Sequence, residues 1–185
     1  MKQPKLQILK NQPRSFIYGT LECIDSQWVF FELDSDEAFR LEDVISESFE
    51  VEVNGNWEKA LWVEENIVQL NGETYFLGDG DEIRVQKQLL KAYELLIEEL
   101  DEAVLMQFTT QLNALDFSLY DCLYSCNTLY CLPADKNREG VNFLIFDNGD
   151  FICSVHHMFA RGTVETDRFE FTLNTGKRLM ITSLV

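Results

Sequence analysis

The chain has 185 residues, 46% of them hydrophobic and 14 of them phenylalanine, a content that excludes intrinsic disorder and fits one large domain or two small ones. It holds 32 Asp and Glu against 15 Lys and Arg, a formal net charge of −17. No cluster of basic residues is present, so we expect no nucleic acid and no anionic membrane as partner, and electrostatics favours a basic protein or peptide.

The start of the chain, MKQPKLQILK, holds no apolar stretch of the length a signal peptide needs, and no later window is long and apolar enough to span a bilayer. We therefore expect a cytoplasmic protein. Five cysteines are an odd number for a disulfide framework, so reduced thiols are expected. Cys23 and Cys153 fall inside strand-like runs and are interpreted as core residues.

Residues 12–86 form the first predicted domain, a small antiparallel β-barrel of the SH3-like kind. Arg14–Ile24 and Trp28–Leu33 read as the two arms of a hairpin. The acidic stretch Asp34–Glu47 fits a short helix or a loop, and Phe49–Val53 alternates apolar and acidic residues as a half-buried strand does. Further short strands follow the turn dipeptides Asn54-Gly55 and Asn71-Gly72, and Ile83–Val85 closes the set.

Residues 87–131 form a helical segment, the first part of a second domain over 87–185. Leu89, Tyr93, Leu96 and Leu100 recur at three and four positions, which indicates an amphipathic helix. Asp101 is the expected N-cap of a second helix, and Asp116 that of a third segment carrying the cysteines. The polar stretch from Pro133 to Gly140 ends this region.

Residues 140–185 are predicted to form two β-hairpins, which makes the whole chain an α+β protein. The first turns at Asn148-Gly149, and the second at Asn174-Thr175-Gly176, where glycine suits the third position of a three-residue loop. The first hairpin is apolar on both faces. We therefore expect helices on one of its sides and another layer, such as the barrel, on the other.

A cluster of thiols gives the sequence its one candidate metal site. On a helix, Cys122 and Cys126 would share a side, and Cys131 or His157 would supply further ligands for zinc. His156 and His157 cannot both join, because neighbours on a strand point to opposite faces. No second cysteine pair is present, so packing thiols are the preferred interpretation. No cofactor and no catalytic residue are predicted, since Asp116 and Asp121 disfavour thiolate formation at Cys122.

The predicted barrel is also rich in aromatic side chains. Small barrels grip extended peptides with such rings, and the surrounding carboxylates would favour a basic ligand. The preferred interpretation, however, is that these rings fill the barrel and its contact with the second domain. The candidate interaction residues are Trp28, Trp57, Trp62 and Tyr75.

Six motifs are distinctive: Trp28-Val29-Phe30-Phe31, Tyr120-Asp121-Cys122, Gly140–Phe143, Asp147-Asn148-Gly149, Cys153–His157 and Asp167–Arg178. Together they resemble an uncharacterised family of small proteins from Bacillus-type bacteria, a domain of unknown function. The resemblance runs over nearly the whole chain and implies a bacterial cytoplasmic protein. It transfers no activity and no site.

These observations together predict a non-catalytic cytosolic interaction or regulatory protein with an acidic surface. A zinc or thiol site at Cys122, Cys126 and Cys131 with His157 is the first alternative. An acidic protein that imitates nucleic acid and inhibits a basic protein is the second. For the charge itself, the preferred interpretation is that it keeps a cytosolic protein soluble. The oligomeric state is left open.

Overall fold

The computed structural model describes residues 3–33, 35, 37–45, 48–133 and 137–184. The chain divides into two compact units. Phe16–Lys87 form one, here called the β unit, and Met1–Ser15 with Gln88–Val185 form the other, called the α+β unit. Across the described residues, none of the helices has both the length and the apolar character needed to cross a membrane.

The chain starts with helix α1 (Gln3–Lys10) and then enters the β unit, an antiparallel sheet with one short helix. Its strand order is β3-β2-β1-β8-β4-β5-β6-β7. The elements are β1 (Phe16–Ile24), β2 (Gln27–Glu32), β3 (Ala38–Arg40), α2 (Leu41–Val44), β4 (Phe49–Val53), β5 (Asn56–Glu64), β6 (Ile67–Leu70), β7 (Glu73–Phe76) and β8 (Glu82–Gln86).

The predicted turns of the β unit are confirmed. Asn54-Gly55 joins β4 to β5 and Asn71-Gly72 joins β6 to β7, each as a two-residue turn with both residues at positive φ. The acidic stretch holds the short helix α2, while Asp34, Asp36, Ser46 and Glu47 lie outside the described residues.

The prediction of an SH3-like barrel, closed or nearly closed, is not confirmed, because the sheet is open. Strand β8 pairs with β1 on one side and with β4 on the other. This pairing places the meander β5-β6-β7 beyond β4, where it lengthens the sheet instead of returning to β2. Within the described residues, β3 and β7 remain as its two edges.

The α+β unit packs helices on one face of a second antiparallel sheet of order β13-β12-β11-β10-β9. The predicted double hairpin is confirmed, with β10 (Arg138–Asp147) pairing β11 (Ile152–Arg161) and β12 (Thr166–Leu173) pairing β13 (Arg178–Leu184). The predicted three-residue loop is present, with Gly176 at φ 86°. The other elements are α3 (Lys91–Glu99), α4 (Glu102–Ala114), β9 (Cys122–Cys126) and α5 (Thr128–Cys131).

The core of the α+β unit is aromatic. Phe108 of α4 lies over the sheet, with its ring centroid 4.8 Å from that of Phe169 and 5.9 Å from that of Phe171. Tyr93 of α3 meets Phe146 edge to face, with their ring centroids 5.8 Å apart.

The predicted cap of α4 is confirmed, since the Asp101 carboxylate accepts a hydrogen bond from the Ala103 amide at 2.8 Å.

The N-terminal segment is fastened into the same unit. The ammonium of Lys5 is buried and donates to the carbonyls of Ile97 at 2.9 Å and Glu98 at 2.8 Å, at the C-terminal end of α3. The guanidinium of Arg14 donates to the buried carboxylate of Asp121 at 2.7 Å. These contacts tie residues near the start of the chain to residues more than 90 positions later.

Candidate functional site

A cleft of about 500 Å³ opens in the β unit. Three pieces of chain form its walls: the end of the β1–β2 hairpin, the junction of β3 with α2, and the β5–β6 turn. Its lining residues are Cys23, Ser26, Gln27, Trp28, Arg40, Leu41, Glu42, Trp62, Glu65 and Asn66.

The curvature of the sheet creates this cleft. Trp28 on β2 and Trp62 on β5 are separated by strands β1, β8 and β4, about 19 Å in a flat sheet at 4.8 Å per strand. Both side chains nevertheless line one cleft and pack against one hydrophobic cluster. The sheet therefore bends so that β2 and β5 approach each other across its concave face.

The walls of the cleft combine aromatic faces with carboxylates. Trp28 and Trp62 are half-buried, and Leu41 at its floor is fully buried. At its rim, the guanidinium of Arg40 lies 3.8 Å from the carboxylate of Glu42, with both side chains largely exposed. Glu65 adds a second carboxylate, so acidic groups outnumber basic ones. Such a site suits an organic cation or a basic side chain.

The other two predicted interaction residues lie elsewhere. Trp57 packs with its ring centroid 5.6 Å from that of Tyr18 and 4.7 Å from the Arg84 guanidinium carbon. The same guanidinium is hydrogen-bonded to Glu50. Tyr75 donates to Asp81 at 3.2 Å, and burial beside that carboxylate raises the pKa of its hydroxyl. The structure therefore brings together only Trp28 and Trp62 of the four.

The expected helix carrying the cysteines is wrong. Asp116, with a positive φ of 66°, ends α4 instead of starting a helix, since its amide donates to the Asn113 carbonyl and the Phe117 amide to the Leu112 carbonyl. Ser118 then caps a single 3₁₀ turn over Leu119–Asp121. Cys122–Cys126 then form strand β9. A β-bulge between the two cysteines shifts the pairing of β9 with β10. As a result, Cys122 lies opposite buried Phe146, and Cys126 lies opposite exposed Phe143. The two side chains therefore point to opposite faces of the sheet.

The thiols are separately engaged. Cys122 contacts the Tyr124 carbonyl with its Sγ at 3.3 Å, and burial raises its pKa to about 12. Cys131, on α5, contacts the Asn127 carbonyl at 3.5 Å. All five cysteines are free. Among the described residues, no three His, Cys, Asp or Glu side chains are placed to hold a metal ion, so the geometry gives the zinc alternative no support.

His157 belongs to a buried polar network on the inner face of the second sheet. Asn142 lies opposite it on β10, and the Asn142 Oδ1 accepts from the Thr128 amide at 2.7 Å and the Thr128 hydroxyl at 2.8 Å. The amide nitrogen of Asn142 therefore donates to His157 Nδ1 at 3.1 Å. This assigns the ring proton to Nε2, which donates to Asp167 at 2.7 Å.

An Asp–His pair at this distance is the geometry of a general base, yet here both groups are sealed. His157 is 0% exposed and stacks on Phe169 with ring centroids 4.3 Å apart. Asp167 is 2% exposed, and the guanidinium of Arg161 donates to its oxygen at 2.6 Å. No ring nitrogen remains for a substrate or a metal, so the network orders the sheet and α5.

Sequence reasoning missed Asn142, Arg161 and Asp167. The signal for them lies in hairpin register. A two-residue turn at Asn148-Gly149 would pair Asn142 with Val155, whereas the longer loop pairs Asp147 with Ile152 and thus Asn142 with His157. With the correct loop length, the sequence would have predicted that the amide of Asn142 and the imidazole of His157 lie side by side on a buried face.

The described residues define an α+β protein with two antiparallel sheets, an aromatic cleft in the first and a buried polar network in the second. The chain belongs to the family of proteins of unknown function DUF2777, whose model matches residues 3–183. It is 25% identical over 180 residues to the uncharacterized protein YisN of Bacillus subtilis (strain 168), covering 97% of this chain and 91% of that protein. No solved structure matches the chain.

Proposed function

We propose that this protein is a non-catalytic cytoplasmic binding protein whose β-unit cleft takes a basic segment of a partner protein. The observation that carries the proposal is the pairing of two tryptophan faces with two carboxylates in one cleft, at Trp28, Trp62, Glu42 and Glu65. An arginine or lysine side chain placed over an indole ring is attracted by the ring's negative face, and a nearby carboxylate completes its hydrogen bonds.

The charge of the whole chain acts in the same direction. A net charge of −17 raises the local concentration of basic ligands and speeds their encounter. This attraction is general, however, and gives no specificity. Specificity has to come from the cleft, where the indole rings are fixed by packing and the ligand's charge is partly desolvated.

The sealed state of the Asp–His pair supports a binding role over hydrolysis. His157 and Asp167 are both buried, and each polar atom of the imidazole already has a partner. Burial also raises the pKa of the Cys122 thiol to about 12, which keeps it protonated and weakly nucleophilic.

The test measures binding of a fluorescein-labelled peptide of alternating arginine and glycine by fluorescence anisotropy, at low and at physiological salt. We expect binding that weakens with salt, and no binding of the glutamate counterpart. Glu65→Lys should weaken it about tenfold, because it places a cation at the cleft rim. Glu64→Lys is the matched control: Glu64 is also exposed but does not line the cleft.

The two charge reversals change the net charge equally, so non-specific attraction falls equally in both. Equal loss of binding in Glu64→Lys and Glu65→Lys would therefore reject the cleft as the site. Tryptophan fluorescence provides a second readout: the peptide should still quench emission in Trp57→Phe, where only the cleft indoles remain. Quenching abolished by that substitution would also reject the proposal.

A further inference from the structure

The outer face of the second sheet carries an apolar surface that the helices do not cover. Side chains alternate between the two faces along β10. Leu144 and Phe146 therefore point into the core, and Phe143 and Ile145 point to the outer face. Phe143 is 44% exposed and Tyr124 is 54% exposed. The surface, here called the outer patch, consists of Tyr124, Val141, Phe143, Ile145 and Met158.

The strand register makes the outer patch continuous. Tyr124 of β9 lies opposite Ile145, and Val141 lies opposite Met158 of β11. Phe143 occupies the row between them, beside His156, whose ring meets it edge to face at 5.1 Å. Side chains directly opposite on adjacent strands are in contact, so these five form one surface rather than scattered apolar positions.

The charge around the outer patch is unusual for this chain. The patch itself holds no Asp, Glu, Lys or Arg, although the chain carries 32 acidic residues. The outward positions of β10 beyond the patch add Glu139 and Asp147, and those of the next strands add Arg168, Glu170 and Arg178, with Arg168 paired to Glu170. The region is therefore apolar at its centre and carries charges of both signs at its rim.

Charge identifies the partner that such a surface fits. Two copies of a strongly acidic chain repel one another over most of their surfaces, and identical patches meet most easily where the centre is uncharged and basic side chains at the rim offset most of the acidic ones. A basic partner would instead be drawn to the acidic surfaces and would gain nothing from Arg168 and Arg178. The apolar centre with a mixed-charge rim is also the composition of a homodimer interface.

We propose that the outer patch is a self-association surface, on which a second copy of this chain packs its own outer patch sheet to sheet. The two sheets lie about 10 Å apart, as in other face-to-face sheet packings. The two-fold axis passes near Phe143, so each Phe143 meets its counterpart and the arginines of β12 and β13 stay at the rim. This interaction is independent of the cleft and of its proposed ligand.

The test is the molar mass in solution, measured by sedimentation velocity and by light scattering over a range of protein concentrations. The wild type should be dimeric at micromolar concentration, and Phe143→Glu should be monomeric. Phe76→Glu is the matched control, because Phe76 is 63% exposed on the edge strand β7 of the β unit. It should leave the dimer intact, as should Glu65→Lys.

Met158→Glu tests the same surface from the neighbouring strand and should also give a monomer, with circular dichroism confirming that each variant is folded. A monomeric wild type at the highest concentration would overturn the proposal. So would a dimer that survives both Phe143→Glu and Met158→Glu, or one that Phe76→Glu dissociates, since the contact would then lie elsewhere.

Discussion

At His157, burial and hydrogen bonding act on one imidazole in opposite directions. Burial lowers its pKa and is the larger effect, while the hydrogen bond to Asp167 raises it and Arg161 lowers it. The net pKa lies below the ordinary value, so the ring is neutral in the fold. The pKa of the Asp167 carboxyl is also lowered, because hydrogen bonds from His157 and Arg161 outweigh its burial.

This arrangement predicts a pH-dependent stability. A histidine with a lowered pKa in the fold binds a proton more readily when unfolded, so its contribution is intact above about pH 6.5 and is lost as the pH falls toward the folded pKa. The free energy of unfolding should fall by up to about 1.4 kcal/mol per pH unit in that window. Urea unfolding between pH 8 and pH 5 measures it.

The control for this prediction is the neighbouring histidine. His156→Gln should keep the slope, since it leaves the hydrogen bonds of His157 to Asn142 and Asp167 in place. The Asp167 contribution belongs to a separate window, because it is lost only as the pH falls through its folded pKa, below about 3.9. A histidine signal from His157 that titrates above pH 6.5 in an NMR experiment would contradict the neutral assignment.

For the tryptophans, the sequence favoured core filling and left a peptide-gripping surface as the alternative. Trp28 and Trp62 line the cleft and also pack against the hydrophobic cluster of the β unit. The sequence around Trp57 resembles that around Trp62, yet Trp57 does not line the cleft and packs against Arg84. What separates them is the face of a bent sheet on which each side chain lies, and the bend results from pairings between distant strands.

At the scale of elements, the segment around the cysteines shows why helix was the wrong prediction. Asp116 and the spacing of Cys122 and Cys126 fit a capped helix, but β10 offers a strand partner, and β9 pairs with it from Cys122 to Cys126. Tertiary pairing of this kind overrides weak local preference. Helix α3, which has strong apolar spacing, and helix α4, which begins at the predicted cap Asp101, were predicted correctly.

Arg14, in the segment after α1, forms an ion pair with the buried carboxylate of Asp121. Its guanidinium satisfies Asp121, whose carboxylate also accepts from the Ser118 amide at 2.7 Å. Arg14→Ala leaves a buried carboxylate short of its countercharge, so the free energy of unfolding should fall by about 1 to 2 kcal/mol, at the low end of the range because Arg14 is partly exposed. Chemical denaturation gives the value.

Lys91→Ala is the comparison for this change. Lys91 makes an ion pair with Glu94 at 2.7 Å on the exposed surface of α3, where solvent screens the attraction. Its removal should leave the midpoint of unfolding unchanged. Equal effects from Arg14→Ala and Lys91→Ala would mean that the Arg14–Asp121 contact does not anchor the N-terminal segment.

At the scale of the whole molecule, the β unit is an insertion. The chain begins in the α+β unit, leaves it after Ser15, and returns at Gln88. The first and last strands of the β unit pair with each other, with Phe16 opposite Gln86. Paired residues of an antiparallel ladder have Cα atoms about 5 Å apart, so the two ends of the insertion are neighbours.

This topology predicts that the units can be separated. Residues 16–87 expressed alone, and a chain in which a short glycine-serine linker joins Ser15 to Gln88, should each unfold cooperatively, because each piece keeps its own core. A fragment of residues 88–185 without the first fifteen should be less stable than the linked chain, since it lacks Lys5 and Arg14. Thermal and urea unfolding compare the three.

An unfolded linked chain would show that the α+β unit depends on the β unit, and equal stability of the linked chain and the fragment would show that the first fifteen residues are dispensable. Either result would contradict the expectation that each unit is stable on its own core and that the first fifteen residues stabilise the α+β unit.

The sequence predicted two consecutive domains, 12–86 and 87–185. It gave no sign that residues before 16 pack with the second, because those contacts span more than 90 positions.

Short-range periodicity, turn chemistry and composition were enough to predict the α+β class, the turns, helices α3 and α4 and the acidic, aromatic character of the chain. They did not predict that the first sheet is open, that Trp28 and Trp62 meet in a cleft, that the thiols are apart or that His157 is enclosed by Asn142 and Asp167. Those features depend on strand order and register, which are set by pairing between distant segments and leave little trace in local patterns.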